Sequence, residues 1–278
     1  VDPVERVRLH AREDGQDVER EDALAVEEPL ELRIRSAENA AVARFVTTMR
    51  TPGHDEDLAA GLFFAEGVLE QREDLLALER PSDPRIEPEL RANALIATLS
   101  KAAFARAEGL QRSTVMGSAC GVCGRTVIGR VLPEGTPRIQ STLRVDAELL
   151  YALPARLREQ QSVFARTGGL HAAGLFDAQG RLLAAREDIG RHNAVDKLVG
   201  ARWLAGELPL RECVLMVSGR AGFEIVQKAT FAGIPIMASV SAPSSLAVEL
   251  AEAAGITLVG FLRERRFNVY AHGARVLG

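Results

Sequence analysis

Cysteine is scarce in this chain: three residues in 278. That is too few for a disulfide scaffold. It points to a reduced, cytoplasmic compartment, where any work done by thiols is chemical rather than structural. Aromatics make up only 5%, with one Trp and two Tyr, which argues against a stacking platform for single-stranded nucleic acid. Base is not in excess either. The 34 Lys and Arg face 38 Asp and Glu, a formal net charge of −4. A strongly basic nucleic-acid binder is therefore not expected, although a local basic pocket is compatible with this balance. No apolar run approaches the roughly 20 residues of a membrane helix. The opening VDPVERVRLHAREDGQDVER is charged throughout and has no apolar signal core. The GxGxxG, P-loop, GxSxG and HExxH motifs are all missing. Their absence weighs against dinucleotide dehydrogenases, P-loop NTPases, serine hydrolases and zincin proteases.

What is present is the composition of a folded protein. The chain is 47% hydrophobic and 26% charged, enough to build a core. At roughly 150 residues per domain its length suits about two domains. Residues 13–31 carry nine carboxylates against one base, Arg20, the pattern of a solvated edge or arm. Leu30, Leu32 and Ile34 alternate with Glu31, Arg33 and Arg35 as in a half-buried strand, and Ala43 to Met49 reads as a second one. A turn at Pro52-Gly53 precedes a helix from about Asp55, with acids in its first turn and Gly67 beyond its end. Residues 86–99 read as more strand, and 101–109 are ambiguous. Pro133, Gly135 and Pro137 break the chain. We therefore expect a smaller, strand-rich α+β domain over 1–132 and an α/β domain over 141–278.

The second half is more legible. Asp146 can cap a helix carrying Leu149, Leu150, Leu153 and Leu157 on one side, with Pro154 inside it. A hairpin follows, LHAAGLFDA and RLLAAREDI about a turn at Gln179-Gly180. A helix is expected from about Arg191 to Leu204. Strands CVLMVS, IPIMASV and ITLVGFL then alternate with helices GFEIVQKATFAG and PSSLAVELAEAAG. Continuous apolar runs suit strands buried on both faces, so a largely parallel sheet with helices packed on it is expected.

Two constellations carry chemistry. The first is Cys120-Gly121-Val122-Cys123 in the glycine-rich loop GSACGVCG. Two thiols at this spacing can supply half a zinc site, cycle as a disulfide or pass sulfur as a persulfide. A structural zinc site wants four ligands, and no second paired motif exists. A thioredoxin-like motif normally sits between a strand and a helix, not in a glycine loop. A persulfide carrier needs an accessible thiolate that can reach donor and acceptor; Cys123 can resolve or protect the persulfide and Arg125 can favour the thiolate. The motif alone does not separate this from redox cycling. Cys213, in an apolar strand, reads as core.

The second constellation lies at strand ends. In open α/β sheets ligands bind beyond the carboxyl ends of the strands. EDIGRHNAVDK brings Arg191, His192 and Lys197 there. Ser218, Gly219, Arg220 and Lys228 come from the next segment, and Ser241, Ser244 and Ser245 from a third. Arg263, Arg265 and Arg266 come from the last. Bases, hydroxyls and helix N-termini together suit a phosphorylated ligand. His192 can meet the ligand or an acid such as Asp188, and His171 reads as a histidine at the start of a strand.

With these residues in view, the sequence resembles the FdhD family, the formate dehydrogenase accessory sulfurtransferases. The likeness runs through TPGHDEDLAAGLFFAEG, CGVCG, TGGLHAAGLFDAQG, EDIGRHNAVDKLVG, SGRAGFEIVQKA, SAPSSLAVELAEAAGITLVGF and the closing Arg263 to Tyr270. It implies that Cys120 accepts persulfide sulfur from a cysteine desulfurase, with Cys123 assisting. The sulfur then passes to the molybdenum (or tungsten) bis-guanine-dinucleotide cofactor before that cofactor enters formate dehydrogenase. That cofactor is a substrate, and no permanently bound cofactor or metal is implied. Phe261, Leu262, Arg263, Glu264, Arg265 and Arg266 match the family's cofactor-binding segment. Arg191, His192, Ser218, Gly219, Arg220 and Ser241 complete the pocket, which a guanine nucleotide would occupy as a mimic. The resemblance also implies a cytidine-deaminase-like mixed sheet with helices on both faces, and a homodimer. The deaminase zinc motifs H-x-E and P-C-x-x-C are missing, so deamination is not expected. Ala221-Gly222 stands where a small polar residue is expected, and Ala119 where serine is. The alternative function is an insertion chaperone that binds the cofactor without moving sulfur.

Overall fold

The computed structural model describes residues 2–113 and 138–278. The chain opens with two long strands, β1 (Val4–Glu13) and β2 (Gln16–Ala25), paired antiparallel with Glu13 opposite Gln16. Asp14 and Gly15 turn the hairpin, both at positive φ, as a tight turn between right-twisted strands requires. The acidic stretch thus forms most of an exposed ribbon and then enters β3 (Glu28–Ser36).

β3 leads a four-stranded sheet with β4 (Val42–Arg50), β5 (Leu75–Glu79) and β6 (Ala94–Leu99), in the order β4-β3-β6-β5. Its apolar face, Leu30, Leu32, Ile34, Leu95, Ala97 and Leu99, is covered by α1 (Asp55–Ala65) and α3 (Lys101–Ser113). Residues 86–99 are not all strand: Pro88 opens a short helix, α2 (Pro88–Ala92), before β6, as proline at a first helical position favours. The ambiguous 101–109 is the body of α3.

The start of α1 is fixed from below. Arg50 is 1% exposed and grips Asp55 through Nε and Nη2 at 3.0 and 3.1 Å, while Arg80 reaches the same carboxylate at 2.8 Å. Burial pushes the Asp55 carboxyl up, but hydrogen bonds from the two arginines outweigh it and hold the group below its ordinary range. α1 itself, DEDLAAGLFFA, is apolar on more than one side because it is covered on more than one side.

The second half begins with β7 (Val145–Asp146) and α4 (Ala147–Arg158). Asp146 is the N-cap residue of α4 by position, without a capping side-chain bond, and Pro154 lies inside the helix. After α5 (Ser162–Thr167) come β8 (His171–Phe176), β9 (Leu182–Asp188), α6 (Arg191–Leu204), β10 (Val214–Val217) and α7 (Phe223–Phe231). Then follow β11 (Ile236–Ser239), α8 (Ser245–Ala254), β12 (Thr257–Arg263), β13 (Arg266–Ala271) and β14 (Val276–Leu277).

Six of these strands form one sheet in the order β13-β12-β11-β10-β8-β9. Only β10–β11 and β11–β12 pair in parallel; β8–β10, β8–β9 and β12–β13 are antiparallel. The sheet is therefore mixed rather than largely parallel. Continuous apolar runs report burial on both faces, which the helices supply, and say nothing about strand direction. One face, with Ala173, Leu175, Leu215, Val217, Met237 and Leu258, packs on α6, α7 and α8. The other, with Ala172, Phe176, Val214, Met216, Ile236 and Val259, packs on α4. Cys213 is buried with the first of these faces, and burial pushes its thiol up to about 11, so it is inert core.

α1 and α6 join the halves. A Cβ on Gly61 would sit 1.9 Å from the Asp196 carbonyl oxygen, and one on Gly200 would sit 1.9 Å from that of Asp57. Only glycine permits so close an approach. The chain break expected at residues 133–137, and with it the end of the expected first domain, lies outside the described residues. No described helix is long and apolar enough to cross a membrane.

Candidate functional site

β10, β11 and β12 run side by side and deliver three turns to one end of the sheet. The turns are stitched together. Ala221 N–H donates to the Ala242 carbonyl at 3.2 Å, and Ser244 N–H to the Ala221 carbonyl at 3.1 Å. Phe261 N–H donates to the Ser241 carbonyl at 3.1 Å, which also accepts from Ser239 Oγ at 2.6 Å. Gly260 has no room for a side chain: a Cβ would meet Pro243 Cδ and Tyr270 Cε2 at 2.9 Å. Phe261 and Glu264 both hold positive φ, 52° and 51°, a costly state for non-glycine residues.

Because β8 is antiparallel to β10, its first residue stands beside the end of β10. Ser218 Oγ accepts from Ala172 N–H at 2.8 Å. A Cβ on Gly219 would lie 3.4 Å from His171 Nδ1 and 3.7 Å from Arg191 Cβ, so His171, Gly219 and Arg191 form one wall. Burial first, then the neighbouring Arg191 and His192 charges, push His171 below its ordinary value. His192 Nε2 lies 2.8 Å from Glu224 Oε2 in the first turn of α7. Arg191 Nε is buried with no hydrogen-bond partner, and no described carboxylate pairs with Arg191. A buried unpaired donor is uncommon enough to demand a reason, and an anion in this crevice would supply one.

The same motif has a second, inward face. Asp188, fully buried, accepts from Thr51 N–H (3.2 Å), Gly190 N–H (2.9 Å) and Asn193 Nδ2 (3.0 Å), and pairs with Lys197 Nζ at 2.7 Å. Asn193 Nδ2 also reaches the Met49 carbonyl at 2.7 Å, and Lys197 Nζ the Thr51 carbonyl at 2.8 Å. Lys197 is therefore not a ligand base: it binds the Thr51 turn of the first half to α6. Lys228 is likewise committed, its Nζ 2.6 Å from Asp196 Oδ1 in the interior.

The FdhD/NarQ family model matches residues 25–277. The chain belongs to the FdhD/NarQ family. The chain is similar to the sulfur carrier protein FdhD of Streptomyces avermitilis, 45% identical over 274 residues that span 98% of this chain and 95% of that one. The FdhD of Mycobacterium tuberculosis is 46% identical over 268 residues, 93% of each chain. That of Thermoplasma acidophilum is 45% identical over 260 residues, 94% of this chain and 89% of the other. A crystal structure from Desulfotalea psychrophila, described there as a proposed formate dehydrogenase accessory protein, shares the fold. It has a TM-score of 0.74, 23% identity and 99% coverage of both chains.

Of the residues expected in the FdhD pocket, Arg191, His192, Ser218, Gly219, Arg220, Ser241 and Phe261 gather at this end of the sheet. Leu262 is fully buried. Arg263, Glu264 and Arg266 are exposed at the β12–β13 turn. Arg265 points to α4, where its Nη1 lies 3.0 Å from Glu148 Oε2 and its guanidinium stands 5.2 Å from the Tyr151 ring centre. Cys120 and Cys123 lie outside the described residues. Sequence reasoning missed Glu224, although an acid in the first turn of a helix facing a histidine segment was a usable signal.

Proposed function

We propose that this chain carries sulfur for the maturation of a formate dehydrogenase. Its membership of the FdhD/NarQ family over residues 25–277, among relatives that bear the name sulfur carrier protein, carries this reading. Cys120 is the carrier in this proposal. Its thiolate attacks the outer sulfur of a cysteine desulfurase persulfide; the new S–S bond forms on Cys120 and the desulfurase thiolate leaves. The sulfane sulfur keeps its oxidation level, so no external oxidant is needed. Cys123 assists by resolving or protecting the persulfide.

The acceptor is the molybdenum or tungsten bis-guanine-dinucleotide cofactor, held as substrate at the ends of β10, β11 and β12. Arg191, with a free buried Nε, and the exposed guanidiniums of Arg220 and Arg263 suit its phosphates. His171, whose proton affinity burial lowers, and His192, 2.8 Å from Glu224, can orient it by hydrogen bonding. The protein's contribution is positioning. The deaminase-like reading of the six-stranded sheet and a homodimeric assembly belong to the same proposal.

The test is intact-protein mass spectrometry after incubation with a cysteine desulfurase and cysteine, on wild type, Cys120→Ala and Cys123→Ala. A one-sulfur adduct on wild type that is lost in Cys120→Ala is expected. An active desulfurase that leaves wild type unmodified would overturn sulfur carriage and leave cofactor insertion alone.

A further inference from the structure

A cleft of about 470 Å³ lies away from the crevice just described, lined by Ser141, Thr142, Leu143, Arg144, His272, Ala274 and Arg275. It sits by the opposite end of β12. Arg275 Nη1 donates to Thr257 Oγ1, on the first residue of that strand, at 3.3 Å and to the Gly255 carbonyl at 2.9 Å. The crevice begins at the strand's other end. Seven residues at about 3.3 Å each separate the two by roughly 20 Å, too far for one phosphate group to engage both.

The cleft is built by backbone pairing. β7 and β14 pair in parallel with Val145 opposite Val276, which sets the residues before them, Arg144 and Arg275, side by side. Two like charges repel and are not placed together without compensation. Here the compensation is backbone: Arg144 Nη1 donates to the Ala274 carbonyl at 3.1 Å, and Arg275 uses the two acceptors above. Neither arginine has a described carboxylate within ion-pair range. Arg275 Nε is buried and bonded to nothing. Burial, then the Arg144 charge, pull Arg275 below the ordinary guanidinium range.

The surroundings add base and hydroxyl. His272, at a left-handed φ of 45°, lines the same cleft. Its Nε2 lies 2.8 Å from the Glu252 carbonyl and 3.4 Å from the Glu252 carboxylate, the one described acid in ion-pair range of the three bases. Ser141 Oγ donates to the Arg211 carbonyl at 2.7 Å and so is committed, whereas Thr142 is exposed. Leu143 and Ala274 supply an apolar patch beside the charges.

The geometry points to a second anion site, for the phosphate of a small phosphorylated molecule, between Arg144 and Arg275. Paired guanidiniums fixed by backbone acceptors with N–H groups to spare are suited to a tetrahedral oxyanion. A cleft of this volume is in the range of small-ligand sites, with room for more than the phosphate itself.

Isothermal titration calorimetry of the full chain in low salt tests this, with inorganic phosphate in one arm and ribose 5-phosphate in the other. Arg144 is exposed, so Arg144→Gln and Arg144→Glu should fold, which an unchanged melting temperature verifies. At least a tenfold loss of affinity in Arg144→Gln and no measurable binding in Arg144→Glu are expected. Ribose 5-phosphate binding tenfold tighter than phosphate would identify an ester as the ligand, and equal binding the free ion. Wild type that binds neither probe, or variants that bind both as wild type does, would overturn the site.

Discussion

At the residue scale, the crevice is governed by which charges are already matched. His171 is held below the ordinary imidazole value of 6.5 by burial and by Arg191 and His192, so it is neutral at pH 7. In the unfolded chain it binds its proton more readily. Its contribution to stability is therefore complete above about pH 6.5 and declines as the pH falls toward the lower folded value. An NMR titration of the His171 ring should show a midpoint below 6.5; a midpoint at or above it would mean that the ring is not desolvated as described. Bases at strand ends were legible from sequence, and so was the expectation of an anionic ligand. Their partners were not. Lys197 and Lys228 read like Arg191 on the page, yet Asp188 and Asp196 neutralise them in the interior. The distinction depends on Asp188 at the end of β9 and Asp196 on α6, whose inward facing only the packed fold reveals.

At the scale of elements, the α1–α6 contact decides most. A Cβ at position 200 meets the Asp57 carbonyl, and backbone cannot swing aside as a side chain can. Gly200→Ala should cost about 3 kcal/mol through overpacking, a fall of roughly 6–12 °C in melting temperature for a chain of this size. Gly109→Ala, in α3 with nothing within 4 Å of the added methyl, should instead hold or gain up to about 1 kcal/mol from helix propensity. Equal effects of the two would show that the close approach is not real. Most elements of the second half, though not the short α5, β7 and β14, were legible because strand and helix alternate with glycine or proline at their joints. β13 and α2 were not. Arg266–Ala271 mixes exposed, half-buried and one buried residue and becomes strand only through its pairing with β12, and Pro88–Ala92 is too short to show a helical period.

At the scale of the whole molecule, the layers run from the four-stranded sheet through α1 and α6 to the six-stranded sheet and α4. The β1–β2 ribbon stands outside them. It is exposed along most of its length, touches α5, and precedes nearly all of the family match. Deleting residues 1–25 should lower the melting temperature by no more than a few degrees and leave the sulfur adduct intact; loss of folding would place the ribbon in the core's support. The glycine contacts between α1 and α6 have a mechanical corollary. Sliding one helix along the other by a single residue would drive a side chain into a main-chain oxygen, so the joint resists shear as a key resists turning in the wrong lock. Relative motion of the two halves by sliding along the α1–α6 axis is thereby blocked.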